Sequence, residues 1–469
     1  MNTNVSNAYL VAMRDDFREI GELLIRWHID DTTMVTFTSD DLSMNNNSSY
    51  ETFFDPLMTE LPYTKFSFTV IDLEGEYDPM GLSESSLEPL QKVDIVYRQY
   101  LDSDLSTYED VVIDYLYTTG ETSYKDREFT VFCQDRLSLA LVTEEPYAMR
   151  DTYYTYADRT SKTFLGVITE ILDKLGISYE ADTTVSNDSN YVLNYFDKNM
   201  SMVEALQSML NAKLWAIYMK KDVAQIVSIA ATITTSDVVD YSIDLDDIFE
   251  FPEVNSPTQC KQMIVSNYVE KKNNVLQSVE ADATTTTTTY QSNTFQNLIG
   301  SFTASELISH NGLAKYNQET IKDCLFCYQK TNDYDGTYSL SMCSSTQITV
   351  QDETFNSSNV AIGFVGIDSI ENQVVYPSTP DRNGEVKNLN NKMNRNNGSN
   401  LAQYYYNYSI PRNMFSVSFR GEPCLELNDI ITTETEWEND VNARIVRQTF
   451  EWNGALQSVL SLVRVEVSE

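Results

Sequence analysis

The residues that most often do chemistry are scarce in this chain. It holds two histidines, His28 and His310, far apart and outside any HxxxH, HxH or GxSxG setting. A zinc hydrolase or a Ser-His-Asp site needs an imidazole held beside a second ligand or a nucleophile, so both read as structural. Six cysteines, Cys133, Cys260, Cys324, Cys327, Cys343 and Cys424, are too sparse for a disulfide framework in 469 residues. They are expected to be reduced and buried. Cys324 and Cys327 form a CxxC, but DCLFCYQK has the texture of a strand. Neither a second CxxC nor a nearby histidine completes a zinc set. The acidic turns DLEGEYD (Asp72 to Asp78) and NDYDG (Asn332 to Gly336) lack the EF-hand loop with its closing glutamate and read as tight turns. Carboxylates number 70, yet no pair is singled out for the acid and base roles of glycoside hydrolysis. No catalytic, cofactor-binding or metal-binding residue is assigned.

What remains is composition. Seventy acidic residues against 32 basic ones give a formal charge of −38. Such a surface repels phosphate and anionic lipid, which argues against a direct grip on nucleic acid. It serves either solubility in a self-assembling context or passage of DNA without adhesion. A hydrophobic fraction of 42%, with 30 Tyr and 20 Phe, excludes a disordered acidic tail. No apolar run approaches the ~18 residues of a membrane helix, and MNTNVSNAYLVAMRDD has no signal-peptide character. The expectation is a soluble protein made in the cytosol.

The elements follow from periodicity, and they predict a β-rich α+β chain of several domains. Residues 1–148 hold a helix over Val11 to Ile25, from the spacing of Met13, Phe17, Ile20 and Leu24. A barrel-like β domain follows, with strands at KFSFTVIDLEG, KVDIVYRQYL, DVVIDYLYTTG and EFTVFCQDRL. Residues 149–240 read as a small α/β module. It has one amphipathic helix capped at Ser161 and stopped at Gly176, and a second opened by the Ser201 and Glu204 capping box. A hairpin turning at Lys221 and Asp222 completes it. Residues 241–289 and 401–469 form a second barrel-like β domain. Residues 290–400 form an inserted β domain, with low-complexity connectors at Thr284–Thr289 and at NNKMNRNNGSN, Asn390–Asn400.

The two larger β domains share a grammar. PLQKVDIV (Pro89 to Val96) matches CLELNDII (Cys424 to Ile431), placing Asp94 and Asp429 at like positions. In each case an acidic loop, a strand ending in glycine (Gly120, Gly454) and a third strand follow. The pattern indicates two related domains in one chain.

Four stretches, taken in order, resemble the hub or tail-associated protein family of bacteriophage tails. In the first, ELPYTKFSFTVIDLEGEYDP, the residues Asp72, Gly75, Tyr77, Asp78 and Pro79 resemble a D-x-x-G-x-Y-D-P turn. QKVDIVYRQY with TVFCQDRL is the second, and the two helices with their hairpin are the third. The last is FRGEPCLELNDII with RQTFEWNGAL, where Arg420, Gly421 and Pro423 resemble R-G-D-P and Asn453 and Gly454 resemble N-G. Glu422 stands where that motif has aspartate.

The resemblance implies a structural virion protein at the tail tip, with no enzymatic activity and no cofactor. It implies a homotrimer whose paired β domains make a pseudo-sixfold ring around the DNA exit channel. A tail tube or distal tail protein would sit above, and a tip fibre, spike or receptor-binding protein below, with contact to the host envelope. The long lytic or fibre extension of many relatives is not seen. Two other readings stay open, a carbohydrate-binding adhesin using residues 290–390 and a cell-wall hydrolase.

Overall fold

The computed structural model describes residues 5–14, 21–43, 48–57, 60–77, 88–143, 163–189, 201–229, 233–234, 237–254, 259–280, 287–291, 324–330, 341–342, 347–351, 359–391, 393–394, 397–410, 413–436 and 438–468. The chain is β-rich, with few helices and several sheets.

The chain opens with α1 (Asn7–Arg14), β1 (Gly21–His28), β2 (Met34–Phe37), β3 (Ser48–Phe53) and β4 (Tyr63–Ile71). It continues with β5 (Lys92–Tyr100), β6 (Tyr108–Lys125), β7 (Glu128–Gln134) and α2 (Arg136–Thr143). One expectation is overturned here. Of the helix predicted to reach Ile25, Asn7–Arg14 is helical, Phe17 and Ile20 lie outside the described residues, and Leu24 lies in β1. GELLIRWH has apolar residues at both periods, and β1 is claimed by pairing with β2 and β5, so tertiary contact decides.

The two longer helices and the hairpin expected in this part of the chain are present. The elements here are α3 (Phe164–Lys174), β8 (Ser178–Ala181), α4 (Thr183–Ser186), α5 (Met202–Lys213), β9 (Trp215–Lys220) and β10 (Val223–Ser228). The cap of α3 is Thr163, whose hydroxyl accepts from Gly166 N, and not the expected Ser161. Gly176, at φ +66°, follows the helix as expected. Ser201 and Glu204 form the reciprocal capping box of α5. The hairpin turns at Lys221 and Asp222 with φ +46° and +68°, the paired positive φ values that suit the twist of the flanking strands.

The next strands are β11 (Ile233–Thr234), β12 (Val238–Ile243), β13 (Ile248–Val254), β14 (Cys260–Glu280), β15 (Thr287–Gln291), β16 (Cys324–Lys330) and β17 (Ser341–Met342). After them come β18 (Gln347–Gln351), β19 (Asn359–Tyr376), β20 (Glu385–Leu389) and α6 (Gly398–Tyr408). The chain closes with β21 (Met414–Phe419), β22 (Ile430–Thr435), β23 (Glu438–Trp452), β24 (Leu456–Arg464) and β25 (Val467–Ser468). The strands expected at CLFCYQK, TQITVQD and VAIGFVGI are present. β14 pairs with β19 along most of its length, and α6 runs across the boundary expected at residue 400.

Thirteen strands make one sheet. Within it β3, β4, β7, β6, β5 and β1 neighbour one another in that order, and so do β13, β21, β24, β23, β22 and β12. The two sets therefore share both chain order and pairing order across six strands each. They differ at one place: β1 and β5 are antiparallel, whereas β12 and β22 are parallel. The two sets join through a ladder in which Arg447–Trp452 of β23 pairs with Ser48–Phe53 of β3.

The grammar read from the sequence holds for Gly454, which sits at φ +96° in the turn after β23. It fails for Gly120. β6 runs on to Lys125 and turns at Asp126 and Arg127, while Gly120, at φ +83°, lies where the β6–β7 register shifts. Glycine takes the positive φ of a bulge at no steric cost.

Candidate functional site

Among the described residues, the family-like residues form two turns, around Asp72 and around Arg420, with Asp94, Asp429 and the Asn453–Gly454 turn standing apart from them. In the first, the Asp72 carboxylate accepts from Glu76 N (2.8 Å) and Tyr77 N (2.9 Å), and Gly75 carries φ +77°. A carboxylate spent on two backbone amides holds a turn. That turn swings Tyr77 against Phe37, edge-on at 5.6 Å, and onto Phe129, stacked at 5.8 Å. Tyr77 thereby covers one end of the core formed by β1–β7. Asp78 and Pro79 lie outside the described residues.

The second place is the seam between the two strand sets. Arg420 donates to Asp247 Oδ1 at 2.7 Å and to the carbonyl of Arg14 at 3.2 Å, tying the end of α1 to the loop before β13. Gly421 takes φ +83°, and a Cβ there would meet Leu456 Cδ2 at 3.1 Å. Glu422 is buried, and its Oε1 accepts from Tyr9 Oη (3.2 Å) and Cys424 N (2.9 Å). Glutamate in place of the motif's aspartate thus reaches α1. Burial first, and the carboxylate second, push the Tyr9 phenol and the Cys424 thiol well above their ordinary values. Both therefore stay neutral. Pro423 is buried in the same turn.

Asp94 and Asp429 play different parts. Asp94, on β5, pairs with His28 Nε2 and Lys92 Nζ, each at 3.0 Å. The structural reading of His28 is accounted for by this partly exposed cluster, whereas His310 lies outside the described residues. Asp429 precedes β22; its Oδ2 accepts from Glu426 N at 2.8 Å, and burial pushes its carboxyl up. Asn453 and Gly454 occupy the exposed β23–β24 turn, where Asn453 N donates to Ala455 O at 3.4 Å.

The sequence reading missed two buried polar clusters. Asp114, in β6, accepts from Tyr50 Oη (3.0 Å), Lys221 N (3.0 Å) and Tyr115 N (2.8 Å). It fastens the module's hairpin to the β1–β7 set. Burial raises its pKa to about 7, and nearby Asp135 adds to the rise. Beside it a cavity of about 30 Å³ is lined by Tyr218, Lys221, Glu426 and Gln448 among others, with Lys220 Nζ bound to Glu426 Oε2 at 2.6 Å. The signal was present in VVIDYLY, where a carboxylate interrupts a β-branched strand. The second cluster lies in the asparagine-rich stretch. Asn394 Nδ2 donates to Ser266 O (2.9 Å) and Asn267 Oδ1 (3.1 Å), and Gly398 N also donates to Asn267 Oδ1 (3.0 Å). Asn391 and Asn397 donate to the Ser208 and Ala212 carbonyls of α5. The expected loose connector is a fastening in which α6 begins.

Cys133, Cys260 and Cys424 are free and buried. Among the described residues no group of three or more His, Cys, Asp or Glu could hold a metal ion.

No family model matches the chain, and no curated protein does. Among solved structures it is similar to the 43 kDa tail protein of prophage MuSo2 from Shewanella oneidensis, at 10% identity and TM-score 0.49, over 95% of this chain and 98% of that one. It is also similar to the tail protein from Neisseria meningitidis MC58, at 8% identity and TM-score 0.47, over 96% and 97%. A third is prophage tail protein gp18 from Listeria monocytogenes EGD-e, at 9% identity and TM-score 0.44, over 94% of each chain. All three are tail proteins.

Proposed function

We propose that this chain is a structural subunit of a phage tail, a hub at the tail tip that assembles as a homotrimer. The observation that carries the reading is the pair of six-strand sets with the same chain order and pairing order. Three chains, each supplying two like units, make a ring of six, which is what joining a sixfold tube to a threefold tip requires.

Each set is read as a small barrel. Ser43 N donates to Thr69 O and Ile71 N donates to Asp41 O, each at 2.9 Å, so the chain leaving β2 reaches across to β4. In the second set, β12 and β13 are the two edge strands and are joined directly by the short turn Leu245–Asp247. Both features favour closure over an open sheet. The four motif regions that resemble the tail hub family support the same reading: here they supply the Asp72 turn, strands β5 and β7, the two helices with their hairpin, and the Arg420 turn with the end of β23.

The role is mechanical. A ring around a DNA exit channel is served by the charge of −38, because fixed negative charge keeps phosphate from adhering. A tail tube or distal tail protein would bind one face, and a fibre, spike or receptor-binding protein the other, in a particle assembled in the host cytoplasm. The test is native mass spectrometry of the pure protein across concentration, with imaging of any assembled ring. A three-chain species with a central channel and an acidic wall is expected. A different stoichiometry, or a wall lined by Lys and Arg, overturns the proposal.

A further inference from the structure

We infer that the outer edge of β13 docks β6 of a second copy of this chain. The inference rests on the ring reading and names the strands that would close it. Among the described residues the two strand sets meet through one ladder, β23 on β3. By the shared strand order, β6 is the counterpart of β23, and β13 is the counterpart of β3. Beyond Thr118, β6 pairs only with β7 among the described residues, and β13 pairs only with β21. These are the two surfaces that β23 and β3 would present if the seam were taken apart. A strand edge is a template for another strand, and unlike surfaces meeting head to tail close into a ring when the rotation permits.

The pairing can be carried over residue by residue. Trp452 and Lys125 each end their strand, with Leu456 and Glu128 across the turn. Ser49 faces Ser67, which faces Phe132. In the other set the counterpart of Phe132 is Leu460, which faces Val417. Val417 lies between Ser416, opposite Glu253, and Ser418, opposite Glu250. Ser49 therefore corresponds to the bulge at Phe251 and Pro252, and Ser48 to Glu250. Since Ser48 pairs with Trp452, Lys125 of one copy comes to lie opposite Glu250 of the next.

Three features of these edges fit that contact. Lys125 is 84% exposed, with its Nζ 4.0 Å from the equally exposed Asp126 carboxylate, and Glu250 is exposed, so a partner can reach both, and opposite charges directly across an antiparallel pair attract. Phe249, next to Glu250, exposes 57% of its surface, which a docked strand would cover. Pro252 lacks an N–H and is tolerated at an edge or bulge, where the register already breaks. The contact is a backbone ladder closed at its end by one ion pair.

The test uses the full-length protein with Lys125→Cys and Glu250→Cys combined, oxidised mildly at a concentration where the wild type is assembled. Disulfide-linked dimers and closed three-chain species are expected, with neither single variant giving them. In parallel, Lys125→Glu or Glu250→Lys alone should weaken assembly roughly fivefold per contact, and the double reversal should restore it. A ring that forms without cross-linking, and that ignores both charge reversals, overturns this pairing while leaving the ring intact. A cross-link formed within a single chain also overturns it. A wild-type chain that stays monomeric at every concentration overturns the ring and the pairing together.

Discussion

Replacing Asp114 by asparagine should make the protein more stable at alkaline pH and remove much of its pH dependence. The carboxyl is buried, and burial raises its pKa from 3.8 to about 7 in spite of three hydrogen bonds. The folded chain thus holds a proton that the unfolded chain has released throughout that interval. Stability from this group is fully present below about pH 4, falls as pH rises, and is lost above about pH 7. A pKa difference of ~3 corresponds to at most about 4 kcal/mol. Asparagine keeps an oxygen for the Lys221 and Tyr115 amides and offers its NH₂ to the Tyr50 oxygen, so it serves the same contacts without a charge. Asp135, also raised by burial, contributes a slope of the same sign, so some pH dependence persists. The assay is urea unfolding followed by tryptophan fluorescence from pH 4.5 to 8.5, comparing variant with wild type so that general charge repulsion cancels. Near-equal stability at the acid end and a gain of ~2 to 4 kcal/mol at pH 8 are expected. A variant that keeps the wild-type slope, or is weaker at pH 8, refutes the reasoning.

Three other substitutions probe the turns and fastenings. Gly421→Ala should cost ~1 to 3 kcal/mol, because φ is +83° and the new Cβ meets Leu456 at 3.1 Å; a thermal melt lowered by several degrees is the readout, and an unchanged melt counts against it. Asn267→Ala removes the acceptor for Asn394 Nδ2 and Gly398 N and the donor to Asn372 Oδ1 at 2.7 Å. A loss of ~2 to 4 kcal/mol is expected, with limited proteolysis cutting first near Asn390–Asn400. Tyr77→Ala opens the stack on Phe129 and should lower stability by ~2 kcal/mol, whereas Tyr77→Phe, which keeps the ring, should leave the melt nearly unchanged.

The sequence alone determined the features whose physics is local. Ser201 and Glu204 specify a capping box, Lys221 and Asp222 a tight hairpin, and the Asp72 turn its own hydrogen bonds, because each is settled within a few residues of chain. The alternation of KVDIVYRQY and RQTFEW likewise specified strands, and the matched Asp94 and Asp429 hinted at a repeat. Tertiary structure decided the rest. Leu24 and Ile25 fit a helix or a strand until β2 and β5 claimed them. Asn391, Asn394 and Asn397 look like a solvated linker until their amides find the Ser208, Ser266 and Ala212 carbonyls. Asp114 has an ordinary acidity in the chain, and only burial beside Tyr50 changes it. The identity of the strand order in the two sets was invisible for the same reason, since pairing between β23 and β3 joins residues about four hundred positions apart, and no periodicity in a sequence records which distant edge a strand will meet.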